Sequence, residues 1–405
     1  MRSQELDGMA RGRGPCSHVG NRGSAWIRVV APHPKGITVI SKKAIALCAT
    51  VGVTLSGIAL AAPAHAEPVA NSYSIVGSDT LEDVVGALVN GTRITGSTVR
   101  VSAGGSSLGS FDATGSSYIT TKSSGVRFGR PNGSGDGVKA LSRSIDGAPF
   151  TSATPGGPAN VTITGQVDIA RSSSAGASNN AGELLYVPFG RDAFAYAYQG
   201  AAASIGALTG PQMKSLYECS LTQIGGATIT PIVPQSGSGT RKDWLSKIGS
   251  SETAMLTVAE GGCVVEGQEH DATSLVANSV MPMSVSRWVS MNTGASYDKR
   301  GTGTLGSLIA GVAPVTGTGA AMVPNAPYYA NTTWGRDTYL VVEFARVDPT
   351  NAKYDAKLAT LIDPTKAASL TNSASVLASQ PGSVKKKFGM LAPASTTVFR
   401  VLKSA

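Results

Sequence analysis

Three loops rich in glycine and serine, each directly before a helical pattern, constrain the fold of this chain more than any other feature. They read Gly77-Ser78-Asp79-Thr80, Gly133-Ser134-Gly135-Asp136-Gly137 and Ser236-Gly237-Ser238-Gly239-Thr240. Strand patterns precede the first loop, over residues 73–76, and the third, over residues 229–233. Strands that alternate with helices in this way predict an α/β protein with mainly parallel sheets.

Each of these loops is suited to an anion. A helix N-terminus leaves backbone N–H groups unpaired and carries about half a positive charge. Glycine lets the backbone approach an oxyanion closely, and serine and threonine hydroxyls add donors. Serine and threonine are also common helix caps, so a single loop indicates no more than capping. Three such loops in one chain predict a shared anion site.

Other patterns place further elements along the chain. Two apolar runs over residues 184–198 are interrupted at Gly190-Arg191-Asp192, and residues 365–377 have helical spacing. The run Lys385-Lys386-Lys387 is typical of a solvated helix face rather than of a nucleic-acid site.

The first 66 residues have the pattern of a leader. A lysine pair at 42 and 43, an apolar run over 44–62 and Ala64-His65-Ala66 are the three parts of a secretory signal peptide, in order. A membrane anchor is the alternative, but Gly52 and Gly57 weaken the run as a membrane span. We expect cleavage after Ala66 and a secreted, extracytoplasmic protein.

Removal of the leader changes the charge argument. The whole chain has a formal net charge of +9, which suggests a nucleic-acid partner. Of its 34 Lys/Arg and 25 Asp/Glu residues, eight and two lie in the leader, so the exported chain carries about +3. A net charge this close to zero does not suggest a nucleic-acid partner, and we expect none.

Two cysteines remain after the leader, Cys219 and Cys263. In an exported protein such a pair predicts one disulfide, worth about 4 kcal/mol in the chain-entropy model, with two free thiols as the alternative. The exported chain keeps one histidine, His270. One histidine with a disulfide offers no zinc-ligand cluster, so we expect neither a metal nor a cofactor.

The loops resemble those of the phosphate-binding proteins of bacterial ABC uptake systems, which have the type 2 periplasmic-binding-protein fold. The closest match is Ser236-Gly237-Ser238-Gly239-Thr240, which is similar to the family's Asp-Gly-Ser-Gly-Thr. The resemblance implies two lobes, which we place at residues 67–195 with 335–405 and at residues 196–334. It also implies a monomer that binds phosphate and delivers it to an ABC permease.

The resemblance carries a role in oxyanion binding over to the loop residues Thr80, Ser134, Gly135, Ser238, Gly239 and Thr240. We expect their neighbours Ser78, Asp79, Asp136, Arg171 and Ser172 to take part as well. The chain departs from the family at Pro234, where the family has an arginine, and at Ser173, where it has a proton-accepting aspartate. We expect Arg171 to supply the cation instead, and Asp79 or Asp136 to accept the proton of hydrogen phosphate.

Two further alternatives stay open. The first is a binding protein for another oxyanion, or one with an adhesive or cell-wall role. The second is a serine hydrolase, because Gly105-Ser106-Ser107-Leu108-Gly109 matches the G-x-S-x-G elbow and Ser107 could pair with His270. An elbow requires a helix after the serine, and the sequence continues as a loop, so we expect no enzyme. His270 or Asp271 can reach the cleft, although a helix cap by Asp271 is the plainer interpretation.

Overall fold

The opening strand–loop–helix unit forms for reasons that are local to its sequence. The computed structural model describes residues 72–201 and 205–404. Strand β1 (Tyr73–Gly77) is buried at all five positions, and helix α1 (Asp79–Asn90) buries Leu81, Val84 and Leu88 at helical spacing. The predicted leader and its cleavage site lie outside the described residues.

The other elements follow in chain order. The remaining helices are α2 (Ser134–Asp146), α3 (Gly210–Tyr217), α4 (Gly239–Ile248), α5 (Val285–Asn292), α6 (Ala326–Tyr329), α7 (Ala356–Ile362) and α8 (Pro381–Lys387). The remaining strands are β2 (Thr92–Ile94), β3 (Ser97–Val99), β4 (Leu108–Ser110), β5 (Tyr118–Ile119), β6 (Phe128–Gly129), β7 (Pro149–Phe150), β8 (Val161–Thr162), β9 (Ile169–Ser172), β10 (Leu184–Gln199), β11 (Gln223–Ile224), β12 (Ala227–Thr228), β13 (Thr230–Pro234), β14 (Val265–Gly267), β15 (Ser279–Ser284), β16 (Thr304–Gly306), β17 (Val315–Thr316), β18 (Val323–Pro324), β19 (Gly335–Glu343) and β20 (Phe399–Val401).

A ten-stranded sheet organises the described part of the chain, in the order β14-β13-β15-β10-β19-β9-β1-β4, with β16 and β20 beside β10. Strand β10 changes partner along its length: residues 184–193 pair with β19, and residues 194–199 pair with β15. We call the part built on β19, β9, β1 and β4 lobe 1, and the part built on β15, β13 and β14 lobe 2. The predicted two-lobed α/β architecture is confirmed, and the exact lobe bounds stay a prediction.

The sheet as a whole is mixed, because the antiparallel strands β10 and β19 lie between two groups of parallel strands, one in each lobe. Strands β4, β1 and β9 are parallel in lobe 1, as are β14, β13 and β15 in lobe 2. Strand β10 is antiparallel to both β19 and β15. The two apolar runs of residues 184–198 form this one strand, with a bulge between Pro188 and Gly190. Because β10 carries the chain into lobe 2 and β19 returns it, the two long strands run in opposite directions.

Helices cover both faces of each half of the sheet. In lobe 1 one core contains Leu81 of α1 and Leu358 of α7, and the other contains Leu141 of α2. In lobe 2 Trp244 of α4 lies in the larger core and Trp288 of α5 in the smaller one. Strands buried on both faces are apolar throughout, which is why their patterns are runs rather than alternations. Within the described residues, we find no helix with the length and apolar content needed to cross a bilayer.

One expectation about the C-terminal part is wrong, and a second fails at one of three lysines, since Lys386 and Lys387 are exposed. Residues 365–377 form turns, in which Ser369 Oγ accepts the backbone N–H of Asn372 and Asn372 Oδ1 accepts that of Ala374. Such polar side chains compete with helical hydrogen bonds. Lys385 is buried rather than solvated: its ammonium donates to the carbonyl oxygen of Phe189 at 2.6 Å, and burial lowers the pKa of Lys385 well below its usual value.

Cys219 and Cys263 form the predicted disulfide, with Cα atoms 5.8 Å apart and a sequence separation of 44. The bond ties the end of α3 to the segment before β14, at one edge of the lobe 2 core.

Replacing both cysteines by serine is expected to lower the free energy of unfolding by about 4 kcal/mol, because the unfolded chain regains the entropy of the closed loop. Urea unfolding of the double variant and of the oxidised protein measures the difference. Reductant serves as the control, since it should destabilise the parent protein and leave the variant unchanged. Equal urea midpoints for the two proteins would contradict a structural role for the bond.

Candidate functional site

The three glycine- and serine-rich loops lie against one another at the boundary of the lobes. They begin α1 and α2 of lobe 1 and α4 of lobe 2. The backbone N–H of Gly135 donates to the carbonyl oxygen of Gly237 at 3.1 Å, and the hydroxyl oxygens of Thr80 and Thr240 are 3.4 Å apart. Three helix N-termini from distant parts of the sequence therefore meet at one place.

Glycine is required where the loops touch. Gly133 has a φ of +106°, and a Cβ there would stand 2.6 Å from the carbonyl oxygen of Gly237. A Cβ on Gly239 would overlap Ser134 Oγ of the other lobe. A larger residue at either position would push the lobes apart, so glycine makes the close approach possible.

Three serine hydroxyls of the loops and of the end of β9 have protein partners in this closed arrangement, whereas Ser78 Oγ has none. Ser134 Oγ accepts the N–H of Ser173 at 3.0 Å and lies 3.1 Å from its hydroxyl oxygen. Ser238 Oγ caps α4 by accepting the N–H of Arg241 at 3.0 Å. Ser172 Oγ donates to the carbonyl oxygen of Ser174 at 2.6 Å. A ligand that enters between the loops must replace some of these bonds.

Arg336 is the cation nearest the meeting point, and the sequence interpretation missed it. Its Nη2 lies 3.1 Å from Thr240 Oγ1, 3.3 Å from Thr80 Oγ1 and 3.0 Å from Asp192 Oδ2. Its guanidinium lies over the ring of Phe194, 4.0 Å from the centroid. Arg336 on β19 stands opposite Asp192 on β10, where the two lobes join. In the sequence, Arg336 is recognisable only as a charged residue at the start of an apolar strand. That it stands opposite Asp192 follows from the pairing register of β10 and β19.

Glu269 and His270 complete the buried polar cluster. Glu269 accepts hydrogen bonds from Ser238 Oγ at 2.5 Å and from Thr80 Oγ1 at 3.2 Å, and its Oε1 is 3.1 Å from His270 Nε2. His270 Nδ1 accepts the N–H of Ser284 at 3.4 Å, which places the ring proton on Nε2. Asp271, by contrast, accepts the N–H of Thr273 and caps a short 3-10 turn, as the plainer interpretation predicted.

Burial and neighbouring charges set the protonation of this cluster. Burial raises the pKa of Asp79 well above its usual value; Glu82 raises it further, and Arg287 opposes the shift. Burial also acts against ionisation of Glu269, yet hydrogen bonds from His270 and Ser238 hold its pKa at about 2. Burial lowers the pKa of His270, so the imidazole is neutral at neutral pH. Burial therefore favours the protonated form of Asp79, whereas the hydrogen bonds favour the ionised form of Glu269.

Two of the predicted site residues have their side chains engaged inside lobe 1. Arg171 donates to Ser110 Oγ at 2.6 Å and to the carbonyl oxygens of Gly77 and Phe111, each at 2.7 Å. Asp136 accepts from the N–H of Ala153 and from Ser152 Oγ, each at 2.8 Å, and from the N–H of Asn132 at 3.3 Å. These contacts hold the loops of lobe 1 in position.

Arg287 joins the two lobes. It lies on α5 of lobe 2, and its guanidinium contacts three acidic residues of α1 in lobe 1. It pairs with Asp83, lies 3.6 Å from a carboxylate oxygen of Glu82 and lies 3.9 Å from Asp79 Oδ1. The pairing holds the first turn of α1 against lobe 2 in the closed arrangement.

Unsatisfied polar atoms are concentrated at this boundary. Eight buried side-chain nitrogen or oxygen atoms of the described residues have no hydrogen-bond partner, and half of them belong to the cluster. These four are Ser78 Oγ, Asp79 Oδ1, Arg287 Nε and Arg336 Nη1. An unsatisfied buried polar atom costs about 1–3 kcal/mol, and native proteins keep such atoms mainly where a ligand, ion or water completes them. The cluster is therefore incomplete without a polar partner.

A cavity of about 510 Å³ adjoins the loops between the lobes. Ser134, Gly135 and Ser172 line it from lobe 1, and Ser238 and Gly239 line it from lobe 2. Its remaining wall in lobe 1 includes the apolar side chains Val138, Tyr186, Val401 and Leu402. The cavity thus joins two helix N-termini to an apolar surface.

One group of potential metal ligands occurs among the described residues, formed by Asp79, Glu269 and His270. Their ligand atoms lie within 4.8 Å of one another, and all three residues are buried. The Nε2 of His270, however, holds its proton toward Glu269 and Thr80, so the ring offers no lone pair at this point. We assign no metal to the group.

The proposed pairing of Ser107 with His270 is not formed, which corrects the hydrolase alternative. Ser107 is exposed and precedes strand β4, whereas an elbow serine follows a strand and begins a helix. His270 is fully buried, and its two ring nitrogens contact Thr80, Glu269 and Ser284. No serine nucleophile therefore contacts this imidazole.

The fold and the site define a two-lobed α/β protein that closes over a buried, incompletely satisfied polar cluster. No protein-family model and no curated protein matches the sequence. Solved structures that are similar include an ABC-type phosphate transport receptor from Vibrio cholerae, at 13% identity and a TM-score of 0.45, covering 80% of this chain and 100% of that one. A putative phosphate ABC transporter substrate-binding protein from Clostridium perfringens, with bound phosphate, is 14% identical with a TM-score of 0.46, covering 80% and 99%. At this level the likeness carries no conclusion about what this chain binds.

Proposed function

We propose that this protein is an exported solute-binding protein that captures an oxyanion, with inorganic phosphate as the first candidate, and delivers it to an ABC permease. The observation that carries the proposal is the meeting of three helix N-termini from both lobes beside Arg336. Helix N-termini attract anions through their free N–H groups and their dipoles. A guanidinium adds charge-assisted hydrogen bonds that suit a tetrahedral oxyanion.

The proposed ligand groups are those of the three loops together with Arg336. Ser78 Oγ and Arg336 Nη1 are buried without a hydrogen-bond partner, Nη1 lying 3.9 Å from Asp243 Oδ2, so an anion at this place satisfies both. Thr80, Ser134, Gly135, Ser238, Gly239 and Thr240 supply backbone donors, and the hydroxyls of Ser134 and Thr240 supply further ones. Asp136, Arg171 and Ser172 act by holding the loops, and Glu269 fixes the hydroxyls of Thr80 and Ser238.

Capture requires the lobes to open first. The bond from Gly135 to Gly237 and the contact of Gly239 with Ser134 join the lobes directly where the anion would enter. Strands β10 and β19 connect the lobes and are the natural hinge. The anion then replaces loop–loop contacts by loop–ligand contacts, which couples binding to closure.

Calorimetry with phosphate, sulfate and a phosphate ester tests the proposal. We expect at least one of these oxyanions to bind, and the Thr240→Val variant to bind it about tenfold more weakly, because a donor at the centre of the site is lost. Thr228→Val, in an exposed hairpin of lobe 2, is the control and should bind as the parent does. A folded parent protein that gives no heat with any of the three would contradict the proposal.

A further inference from the structure

We propose that the ligand is a phosphate monoester, whose phosphoryl group meets the helix N-termini while its organic group occupies the 510 Å³ cavity between the lobes. This inference rests on the proposed function and narrows its ligand. The size and the lining of the cavity lead to it.

The cavity is large for an inorganic anion. Its volume of about 510 Å³ falls within the range of roughly 300–1,000 Å³ that holds small organic ligands. Such pockets are mostly apolar with a few placed polar groups. Here Val138, Tyr186 and Val401 provide an apolar wall, and the serine and glycine residues of the loops provide the polar end. The charged side chains of Lys242 and Glu252 also line the cavity. An amphiphilic ligand with one anionic end matches this division.

Calorimetry with phenyl phosphate, inorganic phosphate and phenol tests the inference. We expect phenyl phosphate to bind about tenfold or more tightly than inorganic phosphate, because the ring buries apolar surface. Ala175→Trp, which places a bulky side chain in the cavity lining, should remove this advantage and leave phosphate binding unchanged. Ala177→Trp, on the same loop but outside the lining, is the matched control.

The outcomes separate the inference from the proposed function. Phosphate binding that is as tight as phenyl phosphate binding would overturn the inference and leave the proposed function standing. Phenol binding as tightly as phenyl phosphate would also overturn it, because the anionic end would then contribute nothing. A failure of every oxyanion to bind would overturn both.

Discussion

Replacement of Arg336 by methionine is expected to weaken oxyanion binding by about 100-fold, because a charge-assisted hydrogen bond to the ligand is worth about 1.5–3 kcal/mol. The guanidinium is buried, contacts Thr80 and Thr240 across the lobe boundary and keeps Nη1 without a hydrogen-bond partner. Calorimetry with the tightest-binding oxyanion measures the change. Methionine preserves most of the side-chain length and its contact with Phe194.

The same change should also destabilise the protein. Asp192 is fully buried, and removing its partner leaves a buried charge uncompensated at a cost of about 3 kcal/mol. Arg336→Lys keeps the charge and is expected to recover part of both losses, which separates the effect on binding from a failure to fold. Arg300→Met, at a partly exposed ion pair with Asp298, is the control. If a folded Arg336→Met variant binds the oxyanion with the parent's affinity, Arg336 does not contact the ligand.

Replacement of Arg171 by methionine is expected to act in the opposite way: it lowers the free energy of unfolding by about 5 kcal/mol and leaves oxyanion affinity nearly unchanged. The guanidinium donates to Ser110, Gly77 and Phe111 inside lobe 1. Without the guanidinium, three buried acceptors lose a hydrogen bond, each at a cost of about 1–3 kcal/mol. Urea unfolding measures the stability, and calorimetry at low temperature measures the affinity of the folded fraction.

Arg127→Met, at an exposed position of the same lobe, is the matched control for this effect and should change neither quantity. If Arg171→Met folds with nearly the parent's stability but loses oxyanion binding, the guanidinium contacts the ligand after all. The expectation from the sequence, that Arg171 supplies the cation, would then replace the assignment to Arg336.

These two arginines show why the sequence predicts some features of the site and not others. The loops at residues 77–80, 133–137 and 236–240 are encoded locally, because glycine, serine and threonine at a helix start act within one turn of the chain. Their helices begin inside the loops, at Asp79, Ser134 and Gly239, close to where the helical patterns begin. Arg171 and Arg336, by contrast, are both charged residues on apolar strands. Which of them faces the loops depends on strand register, and register is a long-range property.

The same distinction between local pattern and long-range contact holds for two buried carboxylates and one buried lysine. Glu269 and Asp136 look alike in sequence, yet one lies among the loops of both lobes and the other caps a segment of lobe 1. Lys385 stands in a run of three lysines that suggests solvent, but α8 packs it against Phe189. A local sequence pattern predicts which residues share one face of a helix. It does not predict which other part of the chain packs against that face.

The sequence by itself determined the α/β class, the starts of the helices that carry the site, and the disulfide between Cys219 and Cys263. Each of these depends on residues close in the chain or on a pair with no competing partner. Only the tertiary structure decided that the sheet is mixed, that Arg336 and Glu269 join Thr80 and Thr240, and that a cavity adjoins the loops. The reason is that β10 and β19 bring together residues more than one hundred positions apart, as Asp192 and Arg336 are.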